Sequence, residues 1–269
     1  TTNYPQLALD PSGRPIVGWN TYGIPDYLVA DAIVSRLNSD IVPSGLATLS
    51  PNDGSCALPA AAVPATLRAT GCFYGFPPNL PDPALVPYEL NSPLWSDAAE
   101  KRRWFLLPPG QTITVNPTGA WTWPIGTIFL KEFAYDRIQG DPSTRFPIET
   151  RILVLRDAAT VQGYSYKWRD DGTEADLQPD TPSIETYDLI DNGALVVDTH
   201  TFPSQTQCLQ CHLTNAGFIL GPVTANLNRN ADYGRTVDNL LRAMQDAALF
   251  TAAIADPGTL DRFPRPADP

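Results

Sequence analysis

The sequence predicts an α+β fold that is mainly β, with an antiparallel sheet or sandwich as its body, a loop-rich region before it and a helical segment after it. Three observations lead there. Proline supplies 28 of the 269 residues, about twice the usual share, which leaves little room for long helices. Between residues 95 and 201 apolar and polar side chains alternate with period two, the pattern of half-buried strands. Near the C-terminus Val237, Leu240, Leu241, Met244 and Ala248 recur at helical spacing. At 43% hydrophobic and 17% charged, the chain can bury a core that a disordered polymer cannot.

Residues 1–90 form the loop-rich N-terminal region. Its first 25 residues are rich in Pro, Gly and Asn and read as irregular. Asp26 can cap a short helix with Leu28, Val29, Ala32, Ile33 and Leu37 on one stripe, ending near Asn38. Residues 39–93 read mostly as loop, punctuated by Pro77, Pro78, Pro81, Pro83, Pro87 and Pro93. The β body takes residues 91–205, with strands expected over 111–116, 127–135, 148–156, 161–169, 183–189 and 194–199. In the fourth of these Tyr164, Tyr166 and Trp168 share one face, as sheet core or as pocket lining, while Ser165, Lys167 and Arg169 take the other. The last segment, 206–269, holds a loop over 215–230, a helix over 236–250 and a Pro-rich tail from 256. There is no internal repeat.

The net charge is -11, from 29 acidic and 18 basic residues. That balance argues against nucleic acid or an anionic membrane surface, which both need a cationic face, and points to a basic or neutral protein partner. No run approaches the roughly 18 apolar residues of a membrane span. The chain opens at Thr1 with neither Met nor a signal-peptide pattern, which reads as a processed N-terminus.

Cysteine carries the sharpest signal. Two of the four cysteines lie in Cys208-Leu209-Gln210-Cys211-His212, the C-x-x-C-H signature of covalent haem attachment. Two thiols three positions apart on one turn can add to the two vinyl groups of a single haem, and the adjacent imidazole then faces the iron. The expectation is therefore one haem c on Cys208 and Cys211, with His212 as axial ligand. Competing readings are a redox pair, a disulfide, or a zinc site. The zinc site would have to recruit His200, the only other histidine, at the wrong spacing, and a redox pair should open a helix in a βαβ unit, which this sequence lacks. Haem c is attached outside the cytoplasm, where thiols oxidise, so Cys56 and Cys72 are expected to form a disulfide and the location is expected to be periplasmic or extracellular. Two buried free thiols is the other reading.

The run Val86-Pro87-Tyr88-Glu89-Leu90-Asn91-Ser92-Pro93-Leu94-Trp95-Ser96-Asp97, followed by Glu100-Lys101-Arg102-Arg103-Trp104, resembles a family of exported bacterial c-type cytochromes often described as dihaem. The likeness continues through Trp123 to Thr127 with Lys131 and Phe133, Glu149-Thr150-Arg151, Gly163 to Trp168, Pro203-Ser204 with Gln207, Leu227-Asn228-Arg229 and Tyr233-Gly234. It implies an exported electron-transfer protein. Only one C-x-x-C-H occurs here, so one haem is expected. A weaker likeness in layout links the chain to mono-haem cytochromes that oxidise hydroxylamine, in which a sheet lysine is cross-linked to the porphyrin; Lys131 stands in a similar setting.

The second axial position decides what such a haem does: Met or His ligation makes an electron carrier, and an open position permits ligand binding or catalysis. The candidates are Met244, the sole methionine, and His200, with Lys131, a tyrosine, water or a vacant position as the remainder. Three functions follow: an electron carrier meeting a redox partner protein; a haem enzyme, peroxidase or small-nitrogen oxidase; or a haem-bearing docking subunit of a larger complex or oligomer. Whether the chain is an enzyme is left open, with the carrier preferred.

Overall fold

A computed structural model describes residues 6–9, 15–18, 46, 49–94, 99–213, 217–233 and 237–265. The helix expected over 26–38, the Trp95–Asp97 part of the cytochrome-like run and the end of the Pro-rich tail lie outside the described residues. Among the described residues the fold is mainly β, and every strand pair is antiparallel. Two short hairpins come first, β1 (Gln6–Leu9) with β2 (Pro15–Gly18) and β3 (Phe73–Tyr74) with β4 (Leu80–Pro81).

The body is one six-stranded meander in chain order: β5 (Val86–Pro87), β6 (Glu100–Leu106), β7 (Ile128–Asp136), β8 (Arg145–Leu155), β9 (Val161–Trp168) and β10 (Ala175–Leu177). A separate hairpin of β11 (Ser183–Asp191) and β12 (Ala194–Phe202) follows. Its turn is Asn192-Gly193, both with positive φ (49° and 80°), a conformation matched to the twist of two-residue hairpins.

Successive side chains of a strand take opposite faces, and here the two faces do different work. The back face carries Trp104, Leu130, Ile152, Tyr164, Tyr166 and Trp168, which pack against the N-terminal segment around Cys56, Cys72, Leu67 and Phe73. The aromatic trio of β9 is thus sheet core. Cys56 and Cys72 are joined as a disulfide with a sequence separation of 16. Closing a loop of that length contributes about 3 kcal/mol in the chain-entropy model. The Cys56→Ala/Cys72→Ala variant should lose about that much stability in urea unfolding, with the sheet retained by circular dichroism.

The front face is apolar only towards its two ends. At one end Phe105 and Phe129 join Trp121, Trp123, Leu240, Leu241 and Met244 in a core. At the other, Phe133, Tyr135 and Ile148 pack with Ala99 and Leu189.

Among the described residues that follow, three short helices close over this face: α1 (Gln205–Cys208), α2 (Thr224–Leu227) and α3 (Leu240–Asp246). The strand pair β13 (Asn230–Asp232) and β14 (Val237–Asn239) precedes α3. The helix expected over 236–250 is therefore shorter at both ends. Asn239 caps it by accepting from the N–H groups of Leu241 and Arg242, and Ala248, with φ 57°, terminates it. The strand expected over 111–116 reduces to isolated bridges at Ile113 and Thr114, in a stretch bounded by Pro109 and Pro117. No helix among the described residues is long and apolar enough to cross a membrane.

Candidate functional site

Between the two apolar ends, the middle of the front face carries charge. Arg103 on β6 stands opposite Lys131 on β7, and Lys131 opposite Arg151 on β8. Like charges directly opposite on adjacent strands repel, and these three share one face. They line a cleft of about 690 Å³ whose opposite wall holds Cys208, Cys211 and His212, with Phe129, Leu153, Ile219 and Leu90 among its apolar lining.

Local sequence places each motif residue. Ser204 and Gln207 form a reciprocal capping box that starts α1, the arrangement that satisfies two orphan N–H groups at a helix start. Cys208 closes α1 and sits against β9 at Gly163. A Cβ built on Gly163 would lie 2.7 Å from Cys208 Sγ, well inside van der Waals contact, so a larger residue here would have to push the thiol aside. Gly163→Ala should displace the thiol, read as a several-fold change in the rate at which a thiol reagent modifies Cys208, with circular dichroism unchanged. Cys208 and Cys211 are both free thiols, Cys211 exposed, and burial pushes the Cys208 thiol pKa up.

His212 is held by its ring. Nδ1 lies 2.6 Å from the carbonyl oxygen of Phe218; a carbonyl can only accept, so Nδ1 carries the proton and Nε2 keeps its lone pair. Phe218 itself adopts φ 61°, a left-handed conformation costly for a bulky residue, and that conformation belongs to the carbonyl that orients the imidazole. Burial, with Lys131 and Arg151 as lesser causes, holds the His212 pKa below its ordinary value against the opposing Phe218 hydrogen bond. The ring is neutral at neutral pH, the form that ligates a metal.

The cations are unequally compensated. Arg151 pairs with Glu149, Nε to Oε1 at 2.8 Å. Glu149 is fully buried and also accepts from Ser165 Oγ at 2.6 Å, while His200 Nε2 lies 2.6 Å from its other oxygen. Lys131 Nζ stands 4.5 Å from the centroid of the Phe133 ring. Its pKa is pushed down to about 7, first by burial and then by Arg103, Arg151 and Lys101, with Glu149 pulling the other way. Arg103 is 8% exposed and has no hydrogen-bond or ion-pair partner for its guanidinium among the described residues.

Neither side chain expected as a second iron ligand lines the cleft. Met244 is fully buried in the core of α3, among Leu240 and Leu241. His200 is enclosed by Phe133, Tyr135 and Phe202 with its Nε2 committed to Glu149. Lys131 is the candidate that does line the cleft. Among the described residues no three of His, Cys, Asp and Glu converge as a metal-holding group. His200, joined to Glu149, does not line the cleft that Cys208, Cys211 and His212 share.

The donor set thus fits a haem: two free thiols, a neutral imidazole with Nε2 available, apolar lining, and a cationic row in which, among the described residues, only Arg151 has a carboxylate partner, so that it can take further carboxylates. Arg103, Arg151 and Glu149 entered the sequence reading only inside the cytochrome-like run. The available signal was charge at inward positions of otherwise alternating strands. No family model, curated protein or solved structure matches this chain.

Proposed function

We propose that this chain is an exported mono-haem c-type cytochrome acting in electron transfer, with haem c held by Cys208 and Cys211 and ligated by His212. The observation that carries the reading is His212 Nδ1 anchored on the Phe218 carbonyl inside a cleft shared with both motif thiols. A haem bound there supplies a one-electron couple. Phe129, Leu153 and Ile219 exclude water around it, and Arg103, Lys131 and Arg151 offer charge-assisted hydrogen bonds to its carboxylates. The haem c segment is then the stretch from α1 to α3, its location is periplasmic or extracellular, and its counterpart is a redox partner protein.

A second reading, a haem enzyme with one accessible iron face, is favoured by the placement of Met244 and His200 outside the cleft. Optical spectra separate the two. Sharp low-spin bands that do not move when carbon monoxide is added to the reduced protein support the carrier. A high-spin spectrum that shifts with carbon monoxide supports the enzyme, and absence of haem bands overturns both.

A further inference from the structure

The chain carries 29 acidic and 18 basic residues, yet six of the basic ones line a single cavity. A second cavity, of about 660 Å³, lies across Tyr88 and Arg103 from the motif cleft and is lined by Lys101, Arg102, Arg103, Arg229, Arg262 and Arg265. Glu89 and Asp232 are the only acidic residues among its described lining. In a protein of net charge -11 this is a local inversion of sign. Field lines in a concave site with low-dielectric walls focus such charge.

Some of these cations are already engaged. Arg102 is bidentate to Glu132, Arg229 pairs with Glu89, and Arg265 donates to Asn91 Oδ1 at 3.3 Å. Two polar groups in the lining are not. Arg103 is buried without a partner among the described residues, and Tyr233 Oη is buried with no hydrogen-bond partner. Buried polar groups are otherwise almost always satisfied, so a donor pair left over in a cationic cavity is a recognition feature rather than packing.

We infer that this second cavity binds a small organic polyanion carrying at least two carboxylate or phosphate groups. Concavity favours a small molecule over a protein face, and the arginine-rich lining favours planar, bidentate recognition of oxyanions. The site shares the wall formed by Tyr88 and Arg103 with the motif cleft, so its ligand would sit one side chain from it. Arg103 borders both cavities, so the part of the inference that stands apart from the haem reading rests on Tyr233 and the rest of the arginine-rich lining.

The test is titration calorimetry of the whole protein with citrate and with inorganic pyrophosphate at low salt, and with acetate as a monoanion control. One saturable site is expected for the polyanions, weakening as salt is raised. Arg262→Gln and Arg265→Gln should each weaken binding about tenfold, the loss of one charge-assisted contact. Arg137→Gln, at a different cavity, should leave it unchanged, as should comparison of haem content across the variants. No saturable polyanion binding at millimolar concentration would overturn the inference. So would equal affinity in the Arg262→Gln and Arg265→Gln variants, or retention on polyglutamate without any small-anion binding, which would assign the patch to an acidic protein.

Discussion

Replacing Glu149 by Gln is expected to destabilise the chain by about 3 kcal/mol, because it strips a buried carboxylate from partners that stay in place. Glu149 is fully buried and ties Arg151, Ser165 and His200 together. Burial acts to raise its pKa, but the His200 hydrogen bond and the Arg151 charge outweigh it and hold the value below the ordinary carboxylate range. A group depressed in the folded state stabilises above its unfolded value, and that contribution is lost as pH falls through the folded value. The parent should therefore lose stability steeply on acidification below about pH 4, and the Gln variant should show less of that slope. Urea unfolding at neutral and acid pH measures both. A variant as stable as the parent at neutral pH would remove Glu149 from this role.

The second large effect belongs to Lys131, whose pKa is pushed from 10.5 to about 7. Stability rises with pH here as it does for Glu149, but because the charged form is the disfavoured one. Below about pH 7 the lysine is charged in both states and its burial penalty is present in full. As pH rises from about 7 towards 10.5 the folded chain releases the proton first, so stability rises with pH by at most about 5 kcal/mol. Lys131→Met should flatten this slope and stabilise the haem-free chain at neutral pH. In the haem-loaded parent the slope should also shrink, because carboxylates beside the row favour the charged amine. A haem-free parent whose stability is flat between pH 7 and 10 would contradict the burial of this charge.

These two residues explain what could be read from the sequence and what could not. β7, β8 and β9 follow the period-two pattern because one face of each is apolar over most of its length, whereas the β11–β12 hairpin is bounded by its Asn192-Gly193 turn and is mostly exposed. β6 escaped it: its front-face positions Lys101 and Arg103 are charged, and only Phe105 continues the apolar face. Charge stands where a core residue would in a sheet without a cleft. The motif thiols and His212 were legible because their chemistry is encoded in five consecutive residues. The cationic row was not, since Arg103, Lys131 and Arg151 come from three strands and meet only through register.

The scarcity of His and Met made Met244 or His200 the first candidates for a second axial ligand; neither lines the motif cleft, His200 being joined to Glu149 and Met244 packed in the α3 core. The helix over 236–250 was overextended because Val237 continues the apolar stripe in sequence, whereas in space it belongs to β14 and is 64% exposed.

The central claim is that Cys208 and Cys211 carry one haem. Its most direct test is the intact mass of the chain made in a bacterial host that attaches haem c. The account predicts a product heavier than the polypeptide by a single haem, with Cys56 and Cys72 still joined, and no added mass in a Cys208→Ala/Cys211→Ala variant. A mass equal to the bare polypeptide, with Cys208 and Cys211 free or joined to each other, would contradict it.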